Sequence, residues 1–294
     1  MHNILISAPQ LQALLASREP CRVFDCSFDL MQPGAGDQQY RQAHIAGAVR
    51  ADLDRHLSAT KGAPDAASGG RHPLPSREQF ALWLGSTGLA PGMQAVVYDR
   101  QGANYCGRLW WMLKWMGHEA VAVLDGGLQA WQALGGAIDS LAVDASLAPD
   151  STLGSKPKYP LAPALIGLIA TKTIADQLGR ASQCIIDARA APRFRGEVEP
   201  LDPVAGHIPG ALNRPFGLNF DSEGKFKSAA ALRQEFDQLL AGRDPAIVVH
   251  HCGSGVSAVP NVIAMEIAGL GSAGLYAGSW SEWCGDPSRP VAQG

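Results

Sequence analysis

Short apolar runs alternate with longer segments of helical period along most of this chain. In its last third, "CIIDA" (184–188) predicts a strand, "SAAALRQEFDQLLAG" (228–242) a helix and "AIVVHH" (246–251) another strand. "VIAMEIAGLG" (262–271) then predicts a helix, "GLYAG" (274–278) a strand and "SWSEW" (279–283) the start of a further helix. The chain opens on "MHNILISAPQLQALL", a strand and a helix in pattern. It has no basic region, long apolar core or small-residue cleavage site, so it does not read as a signal peptide. Apolar strands alternating with helices predict an α/β fold, a mainly parallel sheet flanked by helices. Ligands in such sheets bind at the carboxyl ends of strands.

The pattern occurs twice. Residues 96–131 can be laid on 248–283 without a gap, at an offset of 152. The alignment sets Val96 on Val248, Gly117 on Gly269, Gly126 on Gly278 and Trp131 on Trp283. Upstream, "AHIAGA" (43–48) answers "GHIPGA" (206–211), and "VFD" (23–25) answers "IID" (185–187). A period this long marks a duplicated domain rather than a solenoid. The expected organisation is one domain over 1–139, a linker over 140–162 rich in Ser, Pro, Ala and Asp, and a second domain over 163–294. A chain of 294 residues suits two such domains.

Composition narrows the partners. Hydrophobic residues make up 46% and charged residues 17%, as in a globular protein, and no apolar run approaches a membrane span. The net charge is -3 and no Lys/Arg run occurs, so nucleic acid and membranes are not expected partners. None of the six cysteines forms a CxxC pair or a Cys/His metal spacing, so no metal site is expected. Free thiols in a reducing cytoplasm are the expected state.

"HHCGSGVSA" (250–258) is the stretch with chemical promise. Cys252 ends a predicted strand and precedes a glycine-rich turn into a helix. Unpaired N–H groups and the positive end of the helix dipole stabilise an anion on sulfur there. Gly253 and Gly255 allow a tight concave backbone, and Pro260 sets the helical ladder to begin near it. The N–H groups of 253–258 are thereby left free. The Gly-Ser-Gly sequence argues against a merely structural buried thiol. His251 could add a positive field or sit neutral in the core, and the second reading is preferred. At the site matching Cys252 the first copy carries Arg100, so it is expected to be a scaffold. A cysteine phosphatase would need an arginine clamp six positions on, where Ala258 stands. A papain-like context is absent. Sulfur transfer needs only a stabilised thiolate and a cradle for a persulfide.

With these residues in view, the chain resembles the tandem-domain rhodanese superfamily. "HIAGA" and "HIPGA", "LDGG", "YAGSWSEW" and the cysteine loop carry the likeness over all but the linker. The loop "CGSGVSA" resembles the 3-mercaptopyruvate sulfurtransferase form "CGSGVTA", whereas thiosulfate-preferring members carry two cations where this chain has Gly253 and Ser254. The resemblance implies two rhodanese-like domains, with a Cys252 nucleophile and a cradle of Gly253, Ser254, Gly255, Val256 and Ser257. It implies that Arg193 grips the donor carboxylate, with Arg195 a weaker candidate; otherwise Arg193 is a surface residue paired with Glu197 or Glu199. It further implies a Ser254–His72–Asp54 relay at the domain interface, although Asp54 could be a turn residue and His72 a solvated loop residue. Three departures stand out. Leu201 occupies the place of a second substrate arginine, Ser257 that of a threonine and Ala277 that of an aspartate.

The implied function is transfer of sulfur from 3-mercaptopyruvate, a small-molecule donor, through a Cys252 persulfide to a thiol, a thioredoxin-like protein or cyanide. Pyruvate is released, and no metal or organic cofactor is required. The alternatives are a thiosulfate:cyanide sulfurtransferase and, in another class, a rhodanese-like pair that binds a partner without turnover.

Overall fold

Strand-forming and helix-forming segments take turns through the chain, and the computed structural model describes residues 1–142 and 157–294. The described chain falls into two units. The first holds residues 1–58, 75–165 and 223–225; the second holds 59–74, 166–222 and 226–294. Most of the expected linker, residues 143–156, lies outside the described residues.

The first unit runs β1 (Leu5–Ile6), α1 (Ala8–Ser17), β2 (Cys21–Asp25), α2 (Ala35–Gln42), β3 (His44–Ile45), β4 (Val49–Arg50), α3 (Arg77–Ser86), β5 (Gln94–Tyr98), α4 (Cys106–Trp115), β6 (Val121–Leu124), α5 (Gly127–Ala133) and β7 (Ile138–Asp139). Its main sheet has the order β1-β6-β5-β2-β4 with every pairing parallel, and β3 and β7 form a separate antiparallel pair. The opening strand and helix are those the pattern predicts. α1 starts there because Ser7 and Gln10 form a reciprocal capping box. β5 and β6 are buried throughout, as parallel strands covered on both faces must be.

The second unit repeats the plan: α6 (Thr171–Asp176), β8 (Cys184–Asp187), α7 (Ala191–Phe194), β9 (Leu212–Asn213), α8 (Ala229–Leu240), β10 (Val248–His251), α9 (Val259–Ile267), β11 (Gly274–Leu275) and α10 (Ser279–Trp283). Its parallel sheet has the order β11-β10-β8-β9. Where β1 stands in the first unit, Leu168 makes a single parallel bridge to Leu275. The expected strand over 274–278 is confined to Gly274 and Leu275, because Tyr276, Ala277 and Gly278 turn into α10. Ile185, Val249, Tyr276, Trp280 and Trp283 share one buried cluster. In the first unit's cluster Val23, Leu124, Leu128 and Trp131 hold the places of Ile185, Tyr276, Trp280 and Trp283. The sheets are parallel and flanked by helices, as the alternation requires.

Candidate active site

β10 is an inner strand, in register with β8 from Val248↔Cys184 to His251↔Asp187. Cys252 follows its last residue and is 1% exposed. α9 begins at Val259 with Pro260 in its first turn, so 253–258 form the loop at the head of the helix. Among the described residues, the backbone bonds of the fold use none of the N–H groups of Gly253, Ser254, Val256, Ser257 or Ala258. Unused donors at a helix N-terminus form an anion-binding concavity.

The loop is clamped from α10. Ser279 accepts the Cys252 N–H at 3.1 Å and donates to the Tyr276 carbonyl at 2.9 Å. The N–H groups of Trp280 and Ser281 donate to the carbonyls of Cys252 and Gly253 at 3.0 and 2.9 Å. Gly255 has φ +72°, and a Cβ there would lie 2.1 Å from the Ala277 oxygen. Only glycine combines that backbone with that approach. Ser279, itself at φ +56°, was not singled out from the sequence. Its signal is the alignment with Gly127, which adopts φ +59° in the first copy.

His72 reaches the loop as well. Its Nδ1 lies 2.8 Å from Ser254 Oγ, and both residues are buried. His72 rides on the strap 59–74, which packs within the second unit. The two glycines of "GGRH" make this approach feasible. A Cβ on Gly69 would meet the Glu282 side chain at 2.7 Å, and one on Gly70, at φ +89°, would meet the Gly278 carbonyl oxygen at 2.5 Å. His72 is therefore not a solvated loop side chain. Asp54 belongs to the first unit, where its N–H donates to Asp52 and burial beside that carboxylate raises its pKa.

Arginines line the other side of the loop. A Cβ on Gly253 would lie 3.0 Å from Arg71 Nη2 and 3.7 Å from Arg193 Nη1. Arg193 pairs with Glu199 at 2.6 Å, as the surface reading of it expects, yet it also faces the loop. Arg195 pairs with Glu197 on the exposed surface. Arg71 pairs with Asp202 at 2.5 Å. Behind them, Arg189 is buried against Asp187 at 2.6 Å and also meets Glu199 at 3.3 Å. Asp187, Arg189, Glu199, Arg193, Asp202 and Arg71 thus alternate in sign from the strand end to the cysteine loop. Burial lifts the Asp202 pKa, and Glu199 adds to the rise. Sequence reading missed Arg71 and Arg189; the only cue to Arg71 is the double glycine before it.

His250 and His251 are fully buried. Burial lowers the pKa of His250 to about 3 and lowers that of His251 despite Asp187 at 3.6 Å. That separation is beyond a hydrogen bond, so burial outweighs the attraction of the carboxylate. Both histidines are neutral core residues, the preferred expectation for His251.

In the first copy the matching loop is closed by its own side chains. Asp99, aligned with His251, is buried and accepts the N–H groups of Gln101, Ala103, Tyr105 and Cys106 at 2.8–3.1 Å. Arg100, aligned with Cys252, bonds Ser27, Asp25 and the carbonyls of Gln39 and Ala43.

A cysteine at the end of an inner parallel strand, followed by a glycine-rich loop at the head of a helix, in a chain built of two such strand–loop–helix units, defines the class of α/β protein to which this one belongs. The rhodanese-like domain model matches this chain twice, over residues 7–134 and 170–286, and the chain belongs to that family. A Pseudomonas aeruginosa protein provisionally named a 3-mercaptopyruvate sulfurtransferase is 46% identical over 99% of this chain and 98% of its own length. A Mycobacterium tuberculosis protein provisionally named a thiosulfate sulfurtransferase, SseB, is 37% identical over the same shares. The solved 3-mercaptopyruvate sulfurtransferase from Leishmania major superposes with a TM-score of 0.79 at 31% identity, covering 96% of this chain and 74% of that one. No helix among the described residues is long and apolar enough to cross a membrane.

Proposed function

We propose that this protein is a 3-mercaptopyruvate sulfurtransferase working through a Cys252 persulfide. The nucleophile belongs to the copy at 163–294, and the copy at 1–139, with Arg100 at the matching place, supplies none. The observation that carries this reading is the Cys252 loop, where no backbone bond among the described residues takes the N–H groups of Gly253, Ser254, Val256, Ser257 or Ala258, and where the Ser254 hydroxyl lies against His72.

Arg193 orients the donor through its carboxylate. The Cys252 thiolate attacks the donor sulfur; the new S–S bond forms as the C–S bond breaks, and its electron pair passes to carbon as the enolate of pyruvate. Ser254 delivers a proton to that carbon and recovers one from His72, with Asp54 the orienting carboxylate by family resemblance. The outer sulfur stays bound to Cys252, its charge held by the N–H groups of 253–258. An acceptor thiolate, a thioredoxin-like protein or cyanide then attacks it and regenerates Cys252. A reducing cytoplasm suits an enzyme whose cysteines are all free thiols.

A second reading, thiosulfate as donor, is favoured by the two guanidiniums beside Gly253 and by the name of the Mycobacterium relative. Turnover with each donor decides between them: kcat/KM should be higher for 3-mercaptopyruvate, and a preference for thiosulfate overturns the reading. Incubation with donor should add one sulfur atom to the Cys252 peptide, detected by mass spectrometry, and Cys252→Ser should abolish both the adduct and turnover. Absence of any adduct would return the non-catalytic binding module.

A further inference from the structure

The missing arginine at 201 leaves a donor with two oxygen-bearing groups and only Arg193 to meet them. The geometry points to Arg71 as the second: we infer that the Arg71 guanidinium, approaching the cysteine loop from the strap 59–74, takes the donor contact that the family resemblance gives to an arginine at 201. This rests on the mercaptopyruvate reading above.

Beyond its chain neighbours, the nearest atom to the space above Gly253 is Arg71 Nη2, closer than either Arg193 terminal nitrogen. The residue is fixed at three points. Its N–H donates to Ser281 Oγ at 3.0 Å, Gly70 seats the strap against Gly278, and Asp202 holds Nη1. Asp202 directly follows Leu201, so an arginine at 201 and Arg71 would be drawn to one place. Nη2 stays turned towards the loop, and the buried Nε–H has no partner among the described residues. A guanidinium anchored on one edge, with N–H groups left on another, is a donor fork for a planar oxyanion. Gly253 leaves open the space that a side chain would take from both arginines.

The inference also gives "GGRH" a joint meaning. The two glycines bring the strap close, His72 meets Ser254 where the leaving carbon needs a proton, and Arg71 meets the oxygens of the same donor. Arg71 is thus a binding residue that sets donor specificity and has no part in proton transfer.

Steady-state kinetics of Arg71→Gln test this. KM for 3-mercaptopyruvate should rise about tenfold to a hundredfold while kcat changes less than about threefold, the signature of lost uniform binding. Discharge of the preloaded persulfide to cyanide should match the parent, because no donor is bound in that half-reaction. Adding Leu201→Arg to the Arg71→Gln protein should recover most of the KM. An unchanged KM in Arg71→Gln overturns the inference. So does a joint loss of donor binding and persulfide discharge without rescue by Leu201→Arg, which would make Arg71 a strut for the strap. Failure of the underlying reading shows separately, because the unmutated protein would then turn over thiosulfate but not 3-mercaptopyruvate; the inference falls with it.

Discussion

Ser254 carries two burdens. It is part of the loop that surrounds Cys252, and its hydroxyl is 2.8 Å from His72 Nδ1. The two roles separate by donor. Cleavage of the C–S bond leaves pyruvate as an enolate whose carbon needs a proton, whereas thiosulfate releases sulfite, which does not. Ser254→Ala should therefore lower kcat with 3-mercaptopyruvate by about 10²- to 10³-fold, the range of a lost general acid, and reduce thiosulfate turnover far less. Equal losses with both donors would mean that Ser254 acts only by shaping the loop. The sequence made Cys252, Ser254 and the two loop glycines legible, because a strand end, a Gly-Ser-Gly turn and a first-turn proline are local signals. It did not reveal Ser279 or Arg71. Their roles depend on contacts with residues far along the chain, and neither residue type is unusual where it stands.

At the scale of elements, the two strand–loop–helix units make a natural comparison. β5 leads through 99–105 into α4, and β10 through 252–258 into α9. The duplication and most strand and helix segments were readable because inner parallel strands are apolar throughout and the helices keep their own period. What the two loops do with their N–H groups was not readable. Arg100 signalled that the first copy lacks a nucleophile, but the deeper difference is Asp99, whose carboxylate fills the cradle from within. It remains there although burial raises its pKa, because four backbone N–H groups compensate. Arg100→Cys should accordingly give no second persulfide: mass spectrometry after donor treatment should find sulfur on Cys252 and none on residue 100. A persulfide at residue 100 would show that a cysteine suffices and that the Asp99 plug is irrelevant. The strap 59–74 is the other element-level surprise. Sequence order assigns it to the first domain, and it packs within the second unit, because Gly69 and Gly70 fit only where α10 begins.

Across the whole molecule, burial sets the response to acid. His56, His118, His250 and His251 all have lowered pKa values, desolvation being the first cause in each; His56 falls to about 4 and His250 to about 3. Such groups stay neutral in the folded chain and become protonated on unfolding. Their contribution is complete above the ordinary histidine value near 6.5 and is lost as pH falls towards the folded values, at up to about 1.4 kcal/mol per pH unit for each histidine. Asp54, Asp99 and Asp202 act in the opposite direction, since their raised pKa values let the folded state take up protons first as pH falls. The parent's acid profile is the sum of both groups, so a single histidine has to be isolated by difference. His250 suits this. It is fully buried, its Nδ1 has no partner among the described residues, and its Nε2 faces only Met265 Sδ at 3.1 Å. Leucine fills a similar volume without the unsatisfied nitrogen, so His250→Leu should fold and stay within about 1 kcal/mol of the parent at pH 7.5. Between pH 6.5 and pH 5 the parent should lose about 2 kcal/mol more than the variant in denaturant titrations, because only the parent binds that extra proton on unfolding. Parallel curves for the two proteins would mean that His250 titrates alike in the folded and unfolded chains, and that burial at the end of β10 does not hold it neutral.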